Sequence, residues 1–432
     1  MIEHNMMKQA RRDNHKLKIV NIIRRFVESD WGGTESAVDH LAQSAKCYGD
    51  ESDILSTSAL KLDDSIRMDT NIQYFSYFYP VFPLSKSDKL ALDRKAGDPF
   101  SLSLLFYLLT HTSDIIHSHA MNRLAFYSYL IARLKKIPFV ITLHGGYHHV
   151  PDDEKASLER IYKKRIHWGR IFDKLFRSQR FIYLADAIIC VGYEEYLTAK
   201  QQYQHSTVIH IGNGVDLEAF TKPITTINIH HQLRIDPSKK ILLNVGRIDA
   251  QKGQHLSLEC LLQLDEDYHL VLCGPITQDK YYAALLATIE ANHLQKRVTI
   301  ITDAKPKSDL LLALYQQADV FLLSSIHEPF GIVILEAWAS KLPVIANPVG
   351  GVKYLVDHEE TGILVDFTDT EKVVRSIKTL CTDIHYVNNI SFNAFQKVSQ
   401  EYTWSAIYEK TRQLYISLKY PLPKSSGIFT HE

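Results

Sequence analysis

Cysteine is scarce in this chain of 432 residues. Its five cysteines, at positions 47, 190, 260, 273 and 381, are odd in number and widely scattered, with no short spacing that would suggest a disulfide framework or a zinc site. A reducing compartment is the simpler expectation. An excess of charge is also missing. The 49 Lys and Arg balance 49 Asp and Glu, which argues against a dedicated nucleic-acid binder, whose footprint is a basic excess. Long apolar runs are absent too: the longest, from Leu102 to Leu109, falls well short of the about 20 residues that cross a bilayer. The opening MIEHNMMKQARRDNHK lacks the apolar stretch of a secretory signal and reads as a loose tail, so the cytoplasm is the expected location. There is no internal repeat and no low-complexity tract. What is present, 45% hydrophobic and 23% charged residues, is an ordinary globular composition, long enough for two or three domains with their own cores.

Short β-branched runs alternate with longer amphipathic stretches, the pattern of parallel sheets covered by helices on both faces. The class is α/β. In the first half the expected strands are Leu17–Phe26, Ser52–Thr57, Ile72–Tyr77, Asp114–Ser118, Phe139–Leu143, Ala187–Val191 and Thr207–Ile211. The turn-rich GNGVD, Gly212 to Asp216, and a polar stretch through Pro237 interrupt the pattern. A second series runs Ile241–Val245, His269–Leu272, Val298–Ile301, Val320–Leu323, Val344–Ala346 and Ile363–Val365. Two doubly wound domains fit this order, and such sheets bind ligands beyond the carboxyl ends of their strands, so the site is expected in a cleft between the domains.

Three segments could carry chemistry. After the first strand, Gly32 and Gly33 precede a helix, where adjacent glycines let backbone amides approach a phosphate; the plainer reading is a strand-to-helix turn. In the second half Arg247 follows the first strand and Lys252 comes five residues later, a fork and a point charge that could clamp a diphosphate or simply be solvated. The third segment is SSIHEPFGIVILEAWASKLPVIA. Pro329, Phe330 and Gly331 predict a tight loop before a helix starting near Ile332. Glu328 then lies on the loop and Glu336 just over one turn into the helix. Amides at the helix start can hold phosphate, and the carboxylates can accept sugar and ribose hydroxyl protons, though a lone Glu there more often only stabilises the helix dipole.

VGRIDAQKG, EPFGIVILEAWASKLPVIANPVGG and TGILV together resemble the retaining GT-B glycosyltransferases of glycosyltransferase family 4. The resemblance extends to Gly32-Gly33-Thr34-Glu35, the HGG at His144, IGNGVD, and YTWSAIYEKTRQLY near the C-terminus, and covers roughly residues 17–418. It implies two Rossmann-like domains: an acceptor-binding domain at 16–212 after a disordered tail, 1–15, and a nucleotide-sugar domain at 213–402. A helix at 403–420 would cross back to the first domain before a frayed end, 421–432. Arg247 and Lys252 would neutralise the donor diphosphate, Glu328 would hold the donor sugar, and Glu336 the ribose. The amides of Phe330, Gly331 and Ile332 would contact sugar and phosphate, while Gly32 and Gly33 would admit the diphosphate. His144 would help position the sugar and stabilise charge. The implied chemistry is transfer from a nucleotide-diphosphate sugar with retention of configuration, in which the leaving phosphate accepts the acceptor's proton. No cofactor, metal or enzymic nucleophile is required. His144 with His148 and His149, like His117 and His119, has spacings found in ligand sets, but no carboxylate or cysteine completes a metal site.

The charge balance conceals a split. Residues 1–212 carry 28 basic and 24 acidic side chains, net +4, against 21 and 25, net −4, in 213–432. Glu154 to Tyr183 alone holds nine basic and three acidic residues, net +6, with Leu158, Ile161, Tyr162, Trp168, Phe172, Leu175 and Phe176 at helical spacing. This predicts an amphipathic helix that could rest on an anionic membrane surface, line an acceptor site, or pack with its charges solvated. Thr302, Trp338, Ser340-Lys341 and Lys353-Tyr354 depart from the common family pattern. The leading expectation is a hexosyltransferase acting on a glycan or lipid-linked acceptor of the cell envelope, cytoplasmic or peripheral on the inner face of the plasma membrane. The alternatives are a nucleotide-sugar epimerase, a small-acceptor synthase, or a catalytically silent nucleotide-sugar sensor or scaffold.

Overall fold

A computed structural model of the protein describes residues 16–27, 33–60, 71–94, 97–145, 166–176 and 178–421. They form two compact units. The first comprises the described residues up to Val191, then Glu195–Ile211 and those from Ile407 onward; the second comprises Gly192–Glu194 and Gly212–Ala406.

The first unit contains nine described strands: β1 (Lys18–Ile23), β2 (Glu51–Thr57), β3 (Asn71–Phe75), β4 (Val81–Phe82), β5 (Ile115–Ser118), β6 (Phe139–Leu143), β7 (Ile166–His167), β8 (Ala187–Cys190) and β9 (Thr207–His210). Seven of them make one parallel sheet in the order β3-β2-β1-β5-β6-β8-β9. β5, β6 and β8 are buried throughout, as the unbroken apolar runs of a doubly covered sheet require. Strand order reverses between β1 and β5, the place where such a sheet opens a crevice at its carboxyl edge. Helix α1 (Gly33–Cys47) follows β1 and buries Ala37, Val38, Ala42 and Ala45. The helix Arg123–Lys135 starts where Asn122 Oδ1 accepts from the Leu124 and Ala125 amides, and it ends on Lys136 in the left-handed conformation.

The single amphipathic helix expected over Glu154 to Tyr183 is corrected in part. Residues 154–165 lie outside the described residues. Ile166–His167 is extended and pairs antiparallel with β4, so its backbone is satisfied by Val81 and Phe82 and not by a helical turn. Helix α2 (Trp168–Phe176) is short, and a 3-10 stretch, Ser178–Leu184, comes after it. Gly169 is pressed against Arg123 and Pro80; a Cβ there would meet Arg123 Nη2 at 2.3 Å. Arg123 in turn binds Asp173 through Nε and Nη2, fixing the helix to the unit.

The second unit has the parallel order β12-β11-β10-β13-β14-β15, from β10 (Lys240–Val245), β11 (Tyr268–Cys273), β12 (Val298–Ile301), β13 (Val320–Leu323), β14 (Val344–Ala346) and β15 (Ile363–Leu364). Its reversal lies between β10 and β13. Helix α3 (Gln254–Leu262) follows β10 and α4 (Ile332–Ala339) follows β13. Every strand expected from the sequence is present. The largest difference is at β1, which ends at Ile23; Arg24 turns aside to bind the carbonyls of Leu92 and Asp93.

The last described helix, α5 (Trp404–Lys419), contributes its residues from Ile407 onward to the first unit. There the buried Asp50 Oδ2 accepts from Tyr408 Oη and Arg412 Nε, each at 2.7 Å, while its Oδ1 accepts from the Leu17 amide at 2.8 Å. Among the described residues no helix is long and apolar enough to cross a membrane.

Candidate functional site

In the second unit the chain leaves β10 through Gly246, whose amide bonds the Cys273 carbonyl at 2.9 Å. Asp249 organises the turn beyond it. Its Oδ1 accepts from the Lys252 amide at 3.1 Å, capping the 3-10 turn Ala250–Lys252, and its Oδ2 lies 3.4 Å from Arg247 Nη2. Gln254 holds the Arg247 carbonyl at 2.8 Å. Gly253, at φ 63°, lets this turn lie against the end of β13, where a Cβ would come within 2.2 Å of the Ser324 carbonyl. The turn therefore carries two cations in different settings. The Arg247 side chain is 55% exposed, whereas that of Lys252 is only 19% exposed and its Nζ donates to Glu328 Oε2 at 2.6 Å.

Glu328 sits on the loop after β13. Its carbonyl accepts from the Gly351 amide at 2.9 Å. Gly350, at φ 52°, lies so close that a Cβ would reach 2.2 Å from that carbonyl, and one on Gly351 would reach 2.1 Å from the Pro329 carbonyl. The loop is thus clamped from beneath by the glycine pair after β14. The Phe330 ring is buried against Gly212 and lies 6.2 Å from the Tyr402 ring, so its side chain anchors the loop and leaves the backbone as the presenting element. Gly331, at φ 98°, is the N-cap of α4 and supplies no side-chain bond, so the first amides, from Ile332 on, have no side-chain cap.

Glu336, one turn inside α4, accepts from Tyr315 Oη at 2.6 Å. Desolvation raises its carboxyl to about 7; the Tyr315 hydroxyl and the Lys307 charge oppose the shift without cancelling it. A carboxylate poised near neutrality and held on one oxygen can still accept hydroxyl protons on the other.

In the first unit Gly33 is the exposed first residue of α1. Gly32, Gly146, His148 and His149 lie outside the described residues. His144 follows β6 and joins a group at the carboxyl edge of β1, β5 and β6. His144 Nε2 lies 3.0 Å from His119 Nδ1, and His119 Nε2 lies 3.2 Å from Asn21 Oδ1. His117 sits between Tyr415 Oη and Thr142 Oγ1, each at 2.6 Å. Burial pushes all three imidazoles down, His144 to about 4 and His117 to about 3, with His119 also well below its usual value and neighbouring rings adding to the effect at His117 and His119. They are neutral at pH 7. Among the described residues no group of three or more His, Cys, Asp or Glu is arranged to hold a metal ion.

Lys252 and Glu328 are brought into contact, with Gly331 beside the Glu328 side chain. Sequence reasoning missed Asp249, Tyr315 and Asn21, and gave Gly350-Gly351 no role. Only Asp249, two residues after Arg247, and the adjacent glycines carried a local signal. Tyr315 and Asn21 reach their partners across the fold.

Residues 31–219 match the family model described as Glycosyltransferase Family 4, and residues 225–397 match that described as Glycosyl transferases group 1. The chain is 27% identical over 358 residues to the alpha-maltose-1-phosphate synthase of Mycobacterium tuberculosis, covering 78% of this chain and 87% of the relative. It is 28% identical over 322 residues to the D-inositol 3-phosphate glycosyltransferase of Corynebacterium diphtheriae, covering 70% of each. Similar solved structures include HepE of Anabaena in complex with UDP and glucose, at TM-score 0.67 and 19% identity, covering 93% of this chain and 100% of that one. A glycosyltransferase of Rickettsia africae aligns at TM-score 0.70 and 18% identity, covering 94% and 100%. These structures share the two-domain GT-B fold.

Proposed function

The chain belongs to glycosyltransferase family 4, the group 1 glycosyl transferases, and from that premise we propose that it transfers a hexose from a nucleotide-diphosphate sugar, with retention of anomeric configuration, to a glycan or lipid-linked acceptor of the cell envelope. The observation that carries the reading is the Lys252–Glu328 pair, seated where strand order reverses between β10 and β13 and adjoining the uncapped start of α4. Lys252 and Arg247 would take the diphosphate, and the Phe330, Gly331 and Ile332 amides would add the positive end of a helix. Glu328 would receive sugar hydroxyls in place of the ammonium, and Glu336 the ribose. Gly32 and Gly33 would admit the diphosphate from the first unit, and His144 would help position the sugar.

Departure of a nucleotide diphosphate develops negative charge, and fixed cations and amides oppose that cost without reorganising. The leaving phosphate would accept the acceptor's proton, so the proposed step uses no metal, cofactor or enzymic nucleophile. Glu328 and Glu336 have different partners and roles, unlike the paired carboxylates of a retaining hydrolase. Incubation with a panel of labelled nucleotide sugars, with and without chelator and envelope extract, tests the reading. Chelator-resistant transfer with unchanged anomeric configuration supports it; binding without turnover under every condition points to a nucleotide-sugar sensor and overturns it.

Helix α2 supports a place at the inner face of the plasma membrane. Trp168, Ile171 and Leu175 are 61%, 57% and 74% exposed along one stripe, next to Arg170 and Lys174. Cosedimentation with anionic but not neutral vesicles is expected. A small phosphorylated acceptor is the second reading, favoured by the two relatives whose names specify maltose 1-phosphate and D-inositol 3-phosphate. Transfer to soluble sugar phosphates and none to envelope material would select it.

A further inference from the structure

The hydrogen bonds around His119 settle which nitrogen of His144 carries its proton. Asn21 is 3% exposed, and its Nδ2 donates to Ser52 Oγ at 2.8 Å and to the Asp53 carbonyl at 3.3 Å. A carbonyl only accepts, so the amide orientation is fixed and Asn21 Oδ1 is the atom that faces His119. Oδ1 also only accepts. His119 Nε2, 3.2 Å away, must therefore carry a hydrogen, and in the neutral ring its Nδ1 holds a lone pair. That lone pair faces His144 Nε2 at 3.0 Å, so His144 donates from Nε2 and its own lone pair is left on Nδ1. His144 Nδ1 is buried and, among the described residues, has no hydrogen-bond partner. An unmet buried acceptor costs about 1–3 kcal/mol, and a ligand that donates to it would recover that penalty.

We propose that Asn21 and His119 are positioning residues that pin His144 as its Nε2–H tautomer, so that His144 Nδ1 accepts a hydrogen bond from a hydroxyl of the bound sugar. The identity of the ligand rests on the proposed glycosyl transfer; the tautomer does not. The consequence reverses one role implied by the family resemblance. A neutral ring presenting a lone pair repels a phosphate oxygen and cannot stabilise leaving-group charge. It selects a hydroxyl.

Nitrogen-15 spectra of the full chain labelled at histidine test this, with the His144 ring resonances identified by their loss in His144→Gln. In the unmodified protein at pH 7, Nδ1 should resonate as an unprotonated and Nε2 as a protonated nitrogen. His119→Leu should release the ring to a tautomer mixture, whereas His119→Gln, whose amide can still accept from His144 and donate to Asn21, should restore the single form. A protonated Nδ1 in the unmodified protein, or an unaltered His144 signal in folded His119→Leu, overturns the proposal. Should His119→Leu not fold, the unmodified spectrum and His119→Gln decide it. With an active donor in hand, His119→Leu should raise KM for the nucleotide sugar about tenfold, with His119→Gln recovering most of the loss. Absence of any transfer would remove the functional reading and leave the tautomer result standing. A correct tautomer with no change of KM in His119→Leu would overturn the hydroxyl contact.

Discussion

At the level of single residues, Lys252 Nζ donates to Glu328 Oε2 at 2.6 Å. Without a donor, the ammonium neutralises a carboxylate that is only 10% exposed in its side chain. In the proposed donor complex a diphosphate competes for the same ammonium, releasing Glu328 toward the sugar. Lys252→Ala is therefore expected to lower kcat/KM by about 10²–10³, since it removes a cation aimed at the developing charge. It also strips the counter-ion from a nearly buried carboxylate, so the melting temperature should fall while circular dichroism shows the fold retained. Near-normal turnover would remove Lys252 from the site. Glu336 gives a pH-dependent expectation. With its carboxyl raised to about 7 by desolvation, part of the free protein carries a proton there at neutral pH. Ribose hydroxyls favour the ionised form, so binding should release a proton. Affinity should fall as pH drops below 7 and level off above it. Calorimetry of nucleotide binding in buffers of different ionisation enthalpy reads the proton directly, and Glu336→Gln should abolish both the release and the pH slope.

At the level of elements, both parallel sheets bring their candidate site residues to the carboxyl edge beside the strand reversal, and in the second unit glycines permit the close approaches there. Gly350 is the clearest case. At φ 52°, with the Glu328 carbonyl 2.2 Å from where its Cβ would stand, it cannot take a side chain without moving the loop that carries Glu328. Gly350→Ala should cost about 1–3 kcal/mol from strain alone. Nucleotide affinity should fall with it, because the displaced loop also carries the start of α4. Thermal melting together with nucleotide titration checks both effects; a stable variant with normal affinity would show that the loop is not held from beneath. Helix α2 makes a different point. Its apolar stripe was legible at helical spacing, yet Phe172 packs inward on Phe100 and Phe126 while Trp168, Ile171 and Leu175 remain exposed. Periodicity marks a face but not what covers it.

Across the whole molecule, α5 ties the end of the chain to the first unit through Asp50. Ending the chain after Ser405 would remove both Tyr408 and Arg412 from a buried carboxylate that keeps its bond from the Leu17 amide. Breaking a buried charge network of this kind costs roughly 3–5 kcal/mol. The first unit of the truncated chain should unfold at lower urea while the second keeps its transition, a separation visible by limited proteolysis along the gradient. A single unchanged transition would argue against the tie.

The sequence by itself determined the class, the strands of both sheets, the loop and helix start around Gly331, and the cations and carboxylates at 247, 252, 328 and 336. These are local properties: β-branched runs, turn residues and spacing report on the backbone within a few residues. Folding decided the rest. The Lys252–Glu328 contact, the Tyr315 hydroxyl on Glu336, the glycine pair under residue 328 and the Asn21–His119–His144 relay each join residues from separate strands or helices. Even the protonated nitrogen of His144 depends on an asparagine 123 positions earlier, because hydrogen-bond direction passes from atom to atom through space and leaves no trace in residue order.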